Sequence, residues 1–106
     1  MNKEFKPYYA VIFTSKKTEV DDGYAEMAES MVALAKNQRG FLGVESARNE
    51  IGITISYWEN LNAIAQWKAH AEHQLAQQKG IKEWYAWYKV RICKVEREYS
   101  FEKLTI

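Results

Sequence analysis

The order of apolar patterns along the chain predicts a single α+β domain of the ferredoxin-like kind, β-α-β-β-α-β, with a four-stranded antiparallel sheet and two helices on one face. Three observations carry this reading. Short runs rich in β-branched and aromatic residues alternate with long runs of helical period, in that order and with no internal repeat. The two central strand-like runs sit close together, joined at Asn49-Glu50 as a hairpin requires. The length, 106 residues, suits one modest core and no second, so residues 1–106 are read as one domain.

Each element has its own signal. Tyr8–Thr14 is apolar, aromatic and β-branched, and reads as a strand. After a polar stretch with Thr18 or Asp22 as helix cap, Tyr24, Met27, Ala28, Met31, Leu34 and Ala35 repeat at helical spacing. Acids lie early in that helix (Asp21, Asp22, Glu26, Glu29) and bases late (Lys36, Arg39), as the helix dipole favours, and Gly40 stops it. Phe41–Arg48 and Gly52–Trp58 are the second and third strands. The latter places Ile51, Ile53, Ile55 and Tyr57 on one face and Gly52, Thr54, Ser56 and Trp58 on the other. Asn60 caps a second helix running to Gly80, with Leu61, Ile64, Trp67, Ala71 and Leu75 on its apolar stripe. A short helical turn follows, and Tyr88–Phe101 is the last strand. Its apolar parity changes between Ile92 and Cys93, the mark of a bulge or of two apolar faces.

Two helices cover one side of such a sheet. The first strand nevertheless has no polar position from Tyr8 to Phe13 beyond its phenols, and Val90–Val95 puts apolar groups on both faces. A sheet with one wet face alternates apolar and polar residues instead. The bare face therefore packs on something, and a second copy of the same sheet is the simplest choice, so the expected partner is the chain itself in a homodimer.

Composition narrows the function. Fifteen basic and fourteen acidic residues give a net charge of +1, which argues against nucleic acid or an anionic membrane surface as partner. The last strand carries Lys89, Arg91, Lys94 and Arg97. The third strand, however, lacks the glycine-aromatic run of an RNA-recognition sheet, and Glu96 and Glu98 dilute the charge. One cysteine, Cys93, excludes an internal disulfide framework and a Cys-rich zinc site; among apolar neighbours it reads as a buried packing residue. His70 and His73 are too few for a metal centre, and no further ligand is spaced to help them. No signal peptide or membrane-length apolar run occurs, so a cytoplasmic location is expected. Four Trp, seven Tyr and four Phe are many for a core of this size, and they point to an interface or a ligand pocket.

Three stretches carry a resemblance. Gly40-Phe41-Leu42-Gly43-Val44-Glu45-Ser46-Ala47-Arg48, then Tyr57-Trp58-Glu59-Asn60 with Ala65-Gln66-Trp67-Lys68-Ala69-His70, and finally Val95-Glu96-Arg97-Glu98-Tyr99 resemble the antibiotic biosynthesis monooxygenase superfamily, the dimeric α/β barrels. The resemblance runs from about Tyr8 to Phe101. It implies a dimer in which two sheets form a barrel, with a pocket in each subunit between sheet and helices. It also implies, for some members, oxidation of anthrone-like aromatics or quinols by dioxygen without metal or flavin, and for others haem degradation. The haem-degrading branch combines an Asn on the first strand, a Trp in the second helix and a His about three turns further on. Trp67 matches the Trp, but Tyr8–Thr14 contains no Asn and the position ten residues after Trp67 is Gln77. Haem is therefore disfavoured, and no cofactor is expected.

The residues then take roles. A cofactor-free oxygenase must deprotonate its substrate, because a phenolate or enolate passes an electron to dioxygen far more readily than the neutral molecule does. His70, one turn from Trp67, is the candidate base; an ordinary helix histidine is the plain alternative. Trp67 is placed to stack on a flat ring, or simply to pack the core. Arg48 is a candidate for stabilising an oxyanion, or for a surface pair with Glu50. Trp58, Trp84 and Tyr85 would wall the cavity, or build the core and the dimer seam. The expected function is oxidation of a small aromatic (quinol, phenol or anthrone) by a cofactor-independent monooxygenase. The alternative is a non-catalytic dimer that binds haem or another hydrophobic ligand.

Overall fold

In the computed structural model, which describes residues 4–76 and 81–104, the first strand β1 (Tyr8–Lys17) forms the spine of the sheet. It outruns its predicted end at Thr14 because Ser15 finds partners on both sides and the two lysines after it continue to pair on one. Ser15 pairs with Gly52 and Tyr88, Lys16 with Trp87 and Lys17 with Tyr85. Chain order continues with α1 (Tyr24–Lys36), β2 (Phe41–Arg48), β3 (Gly52–Trp58), α2 (Leu61–Ala76), the single turn α3 (Ile81–Trp84) and β4 (Tyr85–Val95). The strands pair antiparallel in the order β2-β3-β1-β4, the ferredoxin-like α+β arrangement expected from the sequence.

Local chemistry explains most of the boundaries. Asn60 caps α2 as predicted, its Oδ1 accepting the Ala63 N–H at 2.8 Å. The start of α1 differs: neither Thr18 nor Asp22 caps it, and Gly23 takes the position with φ 80°. That left-handed backbone suits glycine, and the Trp84 ring lies 3.2 Å from where a Cβ would stand. Thr18 is occupied elsewhere, since its hydroxyl accepts the Val20 N–H at 3.2 Å and donates to the Glu83 carbonyl. The predicted run of α2 to Gly80 and the Leu75 side chain lie outside the described residues. Leu61, assigned to the buried stripe, is 53% exposed because it opens the first turn, while Ala63, Ile64 and Ala71 are buried.

The last strand is corrected at both ends. β4 begins at Tyr85 and ends at Val95, and residues 96–104 continue without regular structure. No bulge separates Ile92 from Cys93, which pair without a break against Val11 and Ala10. The register shift falls at Lys16/Lys17 instead. The parity change reflects two apolar faces. Cys93 is exposed rather than buried.

One face of the sheet holds the core: Val11, Ala35, Trp58, Ala63 and Ile64, with Tyr9, Phe41 and Trp67 packed around them. The register puts Tyr8, Ala10, Ile12, Ile53, Ile55, Tyr57 and Cys93 on the other face, which no helix covers. On it the Tyr8 and Tyr57 rings meet edge to face at 5.8 Å. Their hydroxyls donate to Glu98 at 2.5 Å and Glu45 at 2.7 Å. The total accessible surface is 8641 Å², against roughly 6,100 Å² for a compact chain of this mass.

The bond from Tyr57 to the Glu45 carboxylate requires the phenol proton, and with some burial it holds the Tyr57 pKa up at about 12. An unfolded Tyr releases its proton near pH 10. This contribution to stability is therefore complete below about pH 10 and disappears as pH rises through about 12. Ultraviolet difference titration of the wild type should show a phenolate step near pH 12 that Tyr57→Phe removes.

Candidate functional site

The helix-facing side of the sheet carries two aromatic clusters, one at each end of β1. The first centres on Trp58, which is completely buried and donates its indole N–H to Ser56 Oγ at 2.8 Å. Phe41 meets it edge-on at 5.4 Å. Trp67, brought down by α2, lies over it at 5.4 Å with the ring planes 36° apart. The two indoles differ in one respect. Trp67 Nε1 is buried and has no hydrogen-bond partner among the described residues, and a buried donor left unpaired costs about 1–3 kcal/mol.

His70 stands one turn further along α2 and is exposed, as is His73. Among the described residues no group of three or more His, Cys, Asp or Glu could hold a metal ion.

The second cluster lies where β1, β2 and the start of α1 meet. Arg48, at the end of β2, reaches across β3 at Gly52, the position without a side chain, and a Cβ there would collide with the guanidinium. Its Nη2 donates to the fully buried Ser15 Oγ at 2.7 Å and to the Tyr24 hydroxyl at 3.4 Å. The expected pair with Glu50 does not form, because the guanidinium turns inward over Gly52. Trp84 is buried and ties α3 to the start of α1, donating its Nε1–H to the Asp22 carbonyl at 2.7 Å. Tyr85 packs edge-on against Tyr24 at 5.8 Å and against Phe13 at 5.7 Å. Burial raises the Tyr85 pKa most, followed by a hydrogen bond to Tyr24, while the Arg48 charge opposes the rise.

The six sequence-predicted site residues therefore divide. Trp58 and Trp67 form one stack with His70 outside it; Arg48, Trp84 and Tyr85 belong to the other end. Tyr9, packed against the Trp58 cluster, and Ser15, under Arg48, are six residues apart on one strand, about 20 Å. Sequence reasoning missed Ser15 and Tyr24. The available signal was small: Ser15 ends an apolar run in register with a glycine, and Tyr24 heads the apolar stripe of α1.

The orphan donor sets an expectation for stability. Trp67→Phe deletes a buried N–H that bonds to nothing, so its cost in urea unfolding should stay within about 1 kcal/mol. Trp58→Phe deletes a satisfied donor in the fully buried ring and should cost more, about 2 kcal/mol.

Comparison with known proteins agrees with this architecture. A family model described as antibiotic biosynthesis monooxygenase matches residues 7–79. The chain is 54% identical over 101 residues to the uncharacterized protein YqjZ of Bacillus subtilis (strain 168), covering 93% of this chain and 89% of that one. Among solved structures, it is similar to SnoaB, a cofactor-independent oxygenase from Streptomyces nogalater. That match has a TM-score of 0.71 at 10% identity, over 89% of this chain and 97% of the other. It is also similar to PA3566 from Pseudomonas aeruginosa, with a TM-score of 0.66 at 16% identity over 92% of this chain and 100% of the other. With the family model spanning most of the fold, from the start of β1 through α2, the chain belongs to the antibiotic biosynthesis monooxygenase family.

Proposed function

We propose that the protein is a cytoplasmic homodimer that oxidises a small aromatic of the quinol, phenol or anthrone type with dioxygen, using neither metal nor flavin. The observation that carries the reading is the Trp58–Trp67 stack with its unpartnered indole N–H, in a chain of a monooxygenase family. A flat substrate packs against the half-buried Trp67 ring, the less buried member of that stack, and a ring oxygen that enters beside it accepts a hydrogen bond from the buried Nε1–H. The structural likeness to a cofactor-independent oxygenase supports the same chemistry.

For an anthrone the step balances without a reductant. A base takes one proton from the ring methylene, and the resulting enolate passes an electron to dioxygen. The carbon then gains one oxygen atom and loses its second hydrogen, and the other oxygen leaves as water. His70 is the base in this scheme, receiving the proton at the solvent-facing rim one turn from Trp67. Arg48 takes no part, because it is held at the other end of β1.

The homodimer reading rests on the bare face. Tyr8, Ile12, Ile53, Ile55 and Tyr57 are not covered by the chain's own helices, and Ile53 is 42% exposed. Light scattering at micromolar concentration should give twice the chain mass, and a monomer would refute this part. No helix among the described residues is long and apolar enough to cross a membrane.

Oxygen-electrode assays with anthrone and substituted hydroquinones test the chemistry. Uptake should exceed the enzyme-free rate, and Trp67→Phe, which keeps a ring but loses the donor, should lower kcat/KM about tenfold. His70→Ala should lower kcat while leaving KM nearly unchanged, since it removes the base and not the stacking surface. Uptake at the enzyme-free rate overturns the proposal. A haemin titration with a Soret shift that His70→Ala abolishes would replace it with haem binding.

A further inference from the structure

Arg48 has no charge partner among the described residues. Lys17 lies over the Tyr24 ring at 4.1 Å and pairs with Asp21. Arg48 makes no ion pair with any carboxylate among the described residues; its partners are the neutral hydroxyls of Ser15 and Tyr24. Both of these bonds use Nη2, so Nη1 and Nε have no acceptor among the described residues. The side chain is nonetheless fixed. Ser15 beneath it is fully buried, Gly52 leaves room for the guanidinium, and the Tyr24 ring lies 5.9 Å from Cζ.

What sets Arg48 apart is its anchor, the fully buried Ser15. An arginine that is anchored by buried neutral groups, with donors left over, is prepared for an anion that comes from outside. The surroundings say what the anion is attached to. Tyr85 and Tyr88 converge with Phe13, Tyr88 stacking on it at 5.3 Å and Tyr85 edge-on to Tyr88 at 5.8 Å. Tyr24 links these rings to Arg48, its own ring lying 5.8 Å from that of Tyr85, and a concavity of about 450 Å³ opens on the far side of Tyr85 and Tyr88, lined also by Lys82, Ala86 and Trp87. Lys82 stands at the border of that concavity and adds positive potential.

We propose that Arg48, fixed by Ser15 and Tyr24 and walled by Tyr85 and Tyr88, binds the carboxylate of a small aromatic acid. The carboxylate meets the free edge of the guanidinium while the ring lies against the tyrosines. This site is separate from the Trp67 surface and depends on no part of the oxygenase reading.

Benzoate, its neutral counterpart benzamide, and ringless acetate are the probes, followed by calorimetry and by amide shifts in two-dimensional NMR. Benzoate should bind saturably and shift the Ser15 and Gly52 amides. Benzamide and acetate should each bind at least tenfold more weakly, the first for want of charge and the second for want of a ring. Arg48→Gln should weaken benzoate about tenfold or more. Gly52→Ala, which displaces the guanidinium without changing any charge, should weaken it as well. If either variant unfolds by circular dichroism, the ligand comparison on the unaltered protein decides. Absence of saturable benzoate binding overturns the proposal, as do equal binding of benzamide, undiminished binding by folded Arg48→Gln, and amide shifts confined to α2.

Discussion

Complete burial of Trp58 is the constraint on which the other elements depend. The residue ends β3, and its indole lies between the sheet and α2, where it touches Phe41 from β2 and Trp67 from α2. Removing a ring of this size from water is worth roughly 4–6 kcal/mol, a large part of what holds a chain this short. The burial is affordable only because Ser56, two residues earlier on the same face of the strand, accepts the indole proton. Gly40 belongs to the same arrangement. With φ 87° and a Cβ position only 2.7 Å from Ala63 Cβ, it lets the chain turn into β2 directly against α2. A side chain there would push the helix off the tryptophan.

This hub lies near one end of the helix-facing surface, and the consequences differ along β1. At the Trp58 end the sheet and α2 close on aromatic rings with almost no polar satisfaction to spare, which leaves the Trp67 donor alone. At the Ser15 end, contact between the elements is made by hydroxyls and a guanidinium. One end excludes water by packing; the other holds its geometry by hydrogen bonds around a charge. A single short domain thus presents two chemically unlike surfaces about 20 Å apart.

Much of this was legible in the sequence. The bounds of β3 follow from its alternation, and those of β2 from the short hairpin that joins them, although the pairing of β2 with β3 shifts register between Phe41 and Gly43. Asn60 was readable as a cap because its side chain has a single local task. Thr18 misled because a hydroxyl near a helix start can serve another segment, here the Glu83 carbonyl brought over by the fold. The ends of β4 were misread because apolar content does not reveal where a neighbouring strand stops, and β1 stops offering partners at Tyr8. The division of the six candidate residues between two clusters is a matter of tertiary distance, which helical and strand periods do not encode. Arg48 shows this well: its sequence neighbour Glu50 looked like its partner, yet its contacts are Ser15 and Tyr24, distant in sequence.

The Tyr8–Glu98 hydrogen bond has a consequence for the segment beyond β4. Tyr99, Phe101 and Leu104 are 84%, 90% and 86% exposed, at spacings that place them along an extended arm. A free tail would surrender most of its backbone entropy on docking, at about 1–2 kcal/mol for each residue ordered. This one is tethered at its root, where Glu98 is held to the bare face by Tyr8. Its direction of departure is already chosen before any partner is met. Whatever surface receives those three side chains captures an arm that is partly organised, and association loses less disorder than the exposed length alone would imply.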